Sequence, residues 1–172
     1  MNVSGLSVSG LSILFPHDGH PGTACIDWRS QPKLHLADPA LAARIFALDT
    51  KAVLSGKEPG VTVSRNGAIP GRLFESLVTL GIRVFEQTAE AQVSHLRLHG
   101  GRQEVDLIVE RGDQREFAIE VKLCSTVTDS DVRHLLWLHQ QIGVDLLDSL
   151  VIHSGRYSYR RSDGIPTALL GP

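Results

Sequence analysis

Two short runs in the second half of the chain alternate apolar and polar residues. The first is Glu104-Val105-Asp106-Leu107-Ile108-Val109-Glu110, and the second is Phe117-Ala118-Ile119-Glu120-Val121-Lys122-Leu123. A period of two is the mark of a β-strand, and it puts the odd-numbered apolar residues of each run on one face. Arg111-Gly112-Asp113-Gln114 reads as the turn that joins them. A loop of residues 112–114 sets Asp106 directly across from Glu120, with Lys122 on their face. Two carboxylates and an ammonium then converge among apolar positions. That is costly in a core strand and useful for holding a divalent metal.

The remaining pattern predicts helices and further strands around this hairpin. Asp38-Pro39 is a helix start, with Asp as N-cap and Pro at the first helical position. Leu41, Ile45 and Leu48 follow at helical spacing, which predicts a helix of about ten residues from Pro39. Residues 51–54 read as a further turn and residues 56–60 as loop. A second helix is expected from Pro70 to about Gln87, carrying Leu73, Phe74, Leu77, Val78 and Ile82. Residues 93–99 read as a strand of imperfect period, and Gly100-Gly101 as the turn into the hairpin. Thr128 with Asp131 resembles a capping box, and Val132, Leu135, Leu136 and Ile142 mark an amphipathic helix closed by Gly143. Leu150-Val151-Ile152 reads as a buried strand, and the basic, aromatic stretch Arg156 to Arg161 as a further one. From Pro70 onward the order is helix, three strands, helix, strand. An antiparallel meander is expected, with the last strand added in parallel across the helix.

Composition narrows the setting. At 172 residues the chain is long enough for one domain with a sizeable core. A net charge of −2 argues against a general basic field for nucleic acid, so any such contact must be local. Cys25 and Cys124 are far apart and lack ligand spacing, which argues against a disulfide framework. Neither a signal peptide nor a membrane span is legible, and a cytoplasmic location is expected. Residues 1–30 differ from the rest. They contain a tandem five-residue duplication and a Pro/His/Gly-rich stretch, and weak order is expected there. The eight histidines show no zinc spacing.

These residues resemble a known superfamily. An acidic residue on the first helix, Asp on the second strand and Glu-x-Lys on the third follow the pattern of the PD-(D/E)xK nucleases. The matching positions are Glu75, Asp106, Glu120 and Lys122. The local wording is closest to a bacterial domain of unknown function found at the C-terminus of AAA-type ATPases. It is carried by Pro32-Lys33-Leu34-His35-Leu36-Ala37-Asp38, Gly71-Arg72-Leu73-Phe74-Glu75, Glu104-Val105-Asp106, Glu120-Val121-Lys122 and Arg161-Ser-Asp-Gly-Ile-Pro166. The resemblance covers residues 31–172, with residues 31–69 as a short helical lead-in. It implies an α/β fold with a restriction-endonuclease-like αβββαβ core, a mixed four-stranded sheet flanked by helices. It also implies Mg²⁺ or Mn²⁺ held by Asp106 and Glu120 with help from Glu75, and Lys122 acting on the attacked phosphodiester. DNA and a separate AAA-type ATPase are the implied partners.

The chain departs from that pattern in three ways. Val105 stands where the superfamily name has Pro, and the later helix lacks a Gln-x-x-x-Tyr pattern. No phosphate-binding Gly-x-x-x-x-Gly-Lys-Ser/Thr segment occurs, so ATPase activity is not expected. The alternative reading is a non-catalytic module, or a truncated gene fragment, that keeps the fold. In that case Asp106, Glu120 and Lys122 are a solvent-facing strand surface with cross-strand ion pairs. The tail residues Arg156, Tyr157, Tyr159, Arg160 and Arg161 read as the protective charges of a solvated edge strand, with contact to a phosphate backbone and rings stacked on bases as the alternative.

Overall fold

A computed structural model describes residues 12–13, 35, 38–45, 69–86, 88–98 and 102–170. In chain order the elements are β1 (Ser12–Ile13), α1 (Pro39–Ile45), α2 (Ile69–Glu86), β2 (Ala91–Arg97), β3 (Glu104–Arg111), β4 (Glu116–Lys122), α3 (Asp129–Ile142), β5 (Leu146–His153), β6 (Tyr159–Arg160) and β7 (Pro166–Leu169). A single 3₁₀ turn, Gly143–Asp145, links α3 to β5. The expected order within residues 1–30, and the turn and loop expected at residues 51–60, lie outside the described residues, apart from β1.

The local signals act as their chemistry requires. The Asp38 carboxylate accepts the N–H groups of Ala40 at 2.9 Å and Leu41 at 3.1 Å, and so caps α1. At the start of α3 the Asp131 carboxylate accepts from the Thr128 N–H at 2.8 Å and the Thr128 hydroxyl at 2.6 Å. Asp thus fills the place in the capping box where Glu is usual. Gly143 ends α3 at a positive φ of 55°, a region that favours glycine.

The described strands form one mixed sheet in the order β1-β2-β3-β4-β5-β7-β6. It is wider than the four strands expected. β2, β3 and β4 are antiparallel neighbours, whereas β5 joins β4 in parallel and β7 joins β5 in parallel. Two-residue strands close both margins, β1 beside β2 and β6 beside β7. Short margins of this kind present little unpaired backbone.

The helices cover opposite faces. On β4, Ala118 packs with Val132, Leu135 and Leu138 of α3, whereas Ile119 and Val121 pack with Phe74, Val78 and Ile82 of α2. Neighbouring residues of a strand point to opposite faces, so the sheet lies between two apolar layers. Among the described residues no helix is long and apolar enough to cross a membrane.

Candidate functional site

The hairpin register places the site. Leu107 pairs with Ile119, Ile108 with Ala118, Val109 with Phe117 and Glu110 with Glu116. The Arg111 N–H closes the turn onto the Arg115 carbonyl at 3.0 Å. This is the register that a three-residue loop demands, and its continuation sets Asp106 opposite Glu120.

Strict alternation does not carry through β3. Ser94 pairs with Ile108 and Leu96 with Val105, so the single residue His95 faces both Asp106 and Leu107. The extra residue is a β-bulge. As a result Val105 and Ile108 both lie in the core layer on the α3 side, which an unbroken strand would forbid. The bulge re-aims Asp106. Its Oδ2 accepts the Val121 N–H at 2.9 Å, beyond the Leu107–Ile119 pair that ends the β3–β4 ladder.

Three ionisable groups meet at that point. The Lys122 Nζ lies 3.2 Å from Glu120 Oε2 and 3.9 Å from Asp106 Oδ2. The Glu120 side chain is 1% exposed, Asp106 11% and Lys122 32%, so the carboxylates lie deeper than the ammonium that faces them. Glu120 Oε1 is buried and makes no hydrogen bond. Burial first, and then the neighbouring Asp106 carboxylate, push the Glu120 carboxyl far above the ordinary range, against the opposing effect of Lys122. Burial works against the charge on Lys122, but Glu120 and Asp106 more than offset it and raise its pKa. Proximity to Asp106 and burial thus favour the neutral Glu120 carboxyl, whereas the lysine beside it is favoured in its charged form.

Helix α3 supplies the next groups. His134 bonds through Nδ1 to the Gln103 side-chain oxygen, and its pKa is lowered by burial, then by Arg133 and by Lys122. Cys124 lies two residues beyond the end of β4. Burial and then Asp131 raise its thiol pKa, which makes it a poor nucleophile.

Glu75 is the helical member of the expected set. It lies on α2, whose apolar contacts are to the other face of the sheet, and its carboxylate is 4.0 Å from His35 Nε2. The neighbouring Ser76 hydroxyl bonds His35 Nδ1 at 3.1 Å. Asp106, Glu120 and Lys122 are thus in contact with one another, and Glu75 stands near His35 of the lead-in segment. Among the described residues no three His, Cys, Asp or Glu side chains form a group that could hold a metal ion as they stand.

The tail resolves into a hairpin with a defined structural task. The Arg161 side chain, 9% exposed, donates to the Val127 carbonyl at 2.8 Å and pairs with Asp129 and Asp163. Tyr159 Oη accepts the Val127 N–H at 3.3 Å. Arg161 and Tyr159 thereby hold the segment between Lys122 and α3. Sequence reasoning could not assign Arg161 this role, because Asp129 and Val127 lie 32 and 34 residues away. His134 and Gln103 were missed for the same reason, since nothing local marks them.

Comparison with known proteins adds a family. The model of a family described as "Domain of unknown function (DUF4143)" matches residues 70–170. No curated protein and no solved structure matches the chain.

Proposed function

Since the chain belongs to the DUF4143 family, whose description assigns no activity, function has to be read from the site, and we propose a divalent-cation-dependent nuclease-like domain acting on DNA phosphodiesters. The observation that carries this reading is the buried Asp106–Glu120–Lys122 contact beside a bulge. A buried charge group of this kind is weak evidence for stability, because desolvation consumes most of its attraction. An extra residue that aims a carboxylate into such a group is a frequent device near active sites.

The donor set fits a hard cation. Mg²⁺ is commonly held by one or two carboxylates, with water completing its shell. Asp106 and Glu120 supply two carboxylates, and Glu120 Oε1 is a buried oxygen with no other hydrogen bond. Mg²⁺ or Mn²⁺, when bound, would neutralise charge on the phosphate and acidify a water. Lys122 places a positive charge at the more open end of the group, where it would face the non-bridging oxygens as charge develops. Asp106, fixed by the Val121 N–H, would hold its orientation without reorganising. Glu75, in the second turn of α2, would act through ordered water. The element order and these positions support kinship with the PD-(D/E)xK nucleases. A separate AAA-type ATPase is the protein partner that this kinship proposes.

One observation favours a second reading. Lys122 stands close enough to Glu120 to serve as its cation, as it would in a non-catalytic module with an idle acidic pair. Two measurements decide. Calorimetric titration with Mg²⁺ or Mn²⁺ should give binding to the wild type that is lost in Asp106→Asn. Cleavage of plasmid DNA should disappear in Lys122→Ala. If the wild type neither binds metal nor cleaves DNA, the second reading stands.

A further inference from the structure

The loop between β5 and β6 is fixed at the same end of the sheet as the site. Lys122 and His153 are partners in the parallel register of β4 and β5, so the chain leaves β5 beside the end of β4. The Ser154 hydroxyl donates to the Cys124 carbonyl at 3.2 Å and ties the loop to the segment just after Lys122. The Gly155 N–H donates to His153 Nδ1 at 3.0 Å. A Cβ at residue 155 would stand 2.5 Å from that nitrogen and 2.6 Å from the Ser125 carbonyl oxygen, so only glycine lets the loop lie this close. Beyond the tip, the Ser158 hydroxyl accepts the Leu169 N–H at 3.3 Å and the Tyr159 N–H donates to Thr167 Oγ1 at 3.2 Å.

Between these anchors the chain presents Arg156 and Tyr157 outward. Both are exposed, and 76% of Tyr157 is open to solvent. A large ring held outward on a loop pinned at both ends loses little freedom when it binds. The local charge is also favourable. Asp129 and Asp163 are paired with Arg161, which leaves the exposed Arg156 and Arg160 as further positive groups at this margin.

An aromatic face beside a guanidinium suits a nucleobase and its phosphate. A base inside a duplex is already stacked on its neighbours and cannot offer that face. We propose that Tyr157 stacks on an unpaired base and Arg156 contacts the adjoining phosphate, so that the strand led to Lys122 is single-stranded DNA. The proposal rests on the nuclease reading of the site and names its substrate class.

The test is fluorescence anisotropy with a labelled oligothymidylate and a labelled duplex of equal length, using the full chain in EDTA. Single-stranded DNA should bind more tightly than duplex. Tyr157→Ala should weaken single-strand binding by roughly tenfold or more, and Tyr157→Phe should retain it. Arg156→Gln should weaken binding and lower its salt dependence by about one phosphate contact. Equal affinity for the two DNAs, no binding to either, or unchanged affinity in Tyr157→Ala each overturns the proposal. Cleavage with the Lys122→Ala control is scored separately. Cleavage that depends on Lys122 while Tyr157→Ala binds normally sinks only the stacking site. Tyr157-dependent binding without any cleavage sinks only the enzyme.

Discussion

Glu116 offers the sharpest test of the electrostatics. It lies at the opposite end of β4 from Lys122 and pairs across the hairpin with Glu110. Burial first, then the charges of Glu110 and Asp145, raise its pKa from 4.5 to about 7. Its Oε2 is buried and makes no hydrogen bond. The unfolded chain holds this proton only below the ordinary carboxyl range, whereas the folded chain holds it up to neutrality. Between those limits the native state binds more protons, so stability falls as pH rises and levels off above the folded value. At about 1.4 kcal/mol per pH unit the gap amounts to about 3 kcal/mol, and partial exposure of the group screens this to roughly 1–2 kcal/mol. Glu116→Gln removes the titration. Relative to the wild type, the variant should gain that amount between pH 5 and pH 8, or roughly 3–6 °C in Tm for a chain of this size. Urea unfolding followed by tryptophan fluorescence at several pH values measures the difference. Glu110→Gln should give a smaller change of the same sign, because it removes only one of the two neighbouring charges. Parallel stability–pH curves for the wild type and Glu116→Gln would refute the reasoning.

Three further outcomes follow from described contacts. Gly155→Ala forces a methyl group against the His153 ring and the Ser125 backbone, and should cost about 1–3 kcal/mol or more in urea unfolding. Arg161→Ala leaves the Val127 carbonyl without its donor, and should cost about 1–3 kcal/mol. Arg161→Lys should recover only part of this, since one ammonium cannot reproduce the guanidinium fork, as thermal melts of both variants will show. Asp131→Ala removes the cap of α3 and should cost about 1 kcal/mol, read as a shift in urea midpoint without a change in slope.

The hairpin was legible because a short loop dictates register, and register dictates which residues face one another. The second helix was placed within a residue at each end, since its apolar face is broad and Pro70 marks its start. The bulge was not legible. It depends on the pairing of β3 with β2, and neither Asp106 nor Leu107 carries a local sign of it. Alternation alone therefore brought Asp106, Glu120 and Lys122 together by an incomplete route. β7 escaped notice because it is four residues long and opens on Pro166, a residue confined to strand starts and edges. Arg161 read as a surface charge, although long-range contacts make it a buried anchor. What short-range pattern could not supply was distance along the chain.

The bulge also makes the centre sensitive to counting rather than to chemistry. Deleting Leu107 would let the two strands zip without interruption while leaving the acids, the lysine and the helices all encoded. The carboxylate would then have no reason to lean toward Val121, which would lose its acceptor. A lineage could silence such a domain through a three-nucleotide loss, with every residue that a motif search seeks still in place.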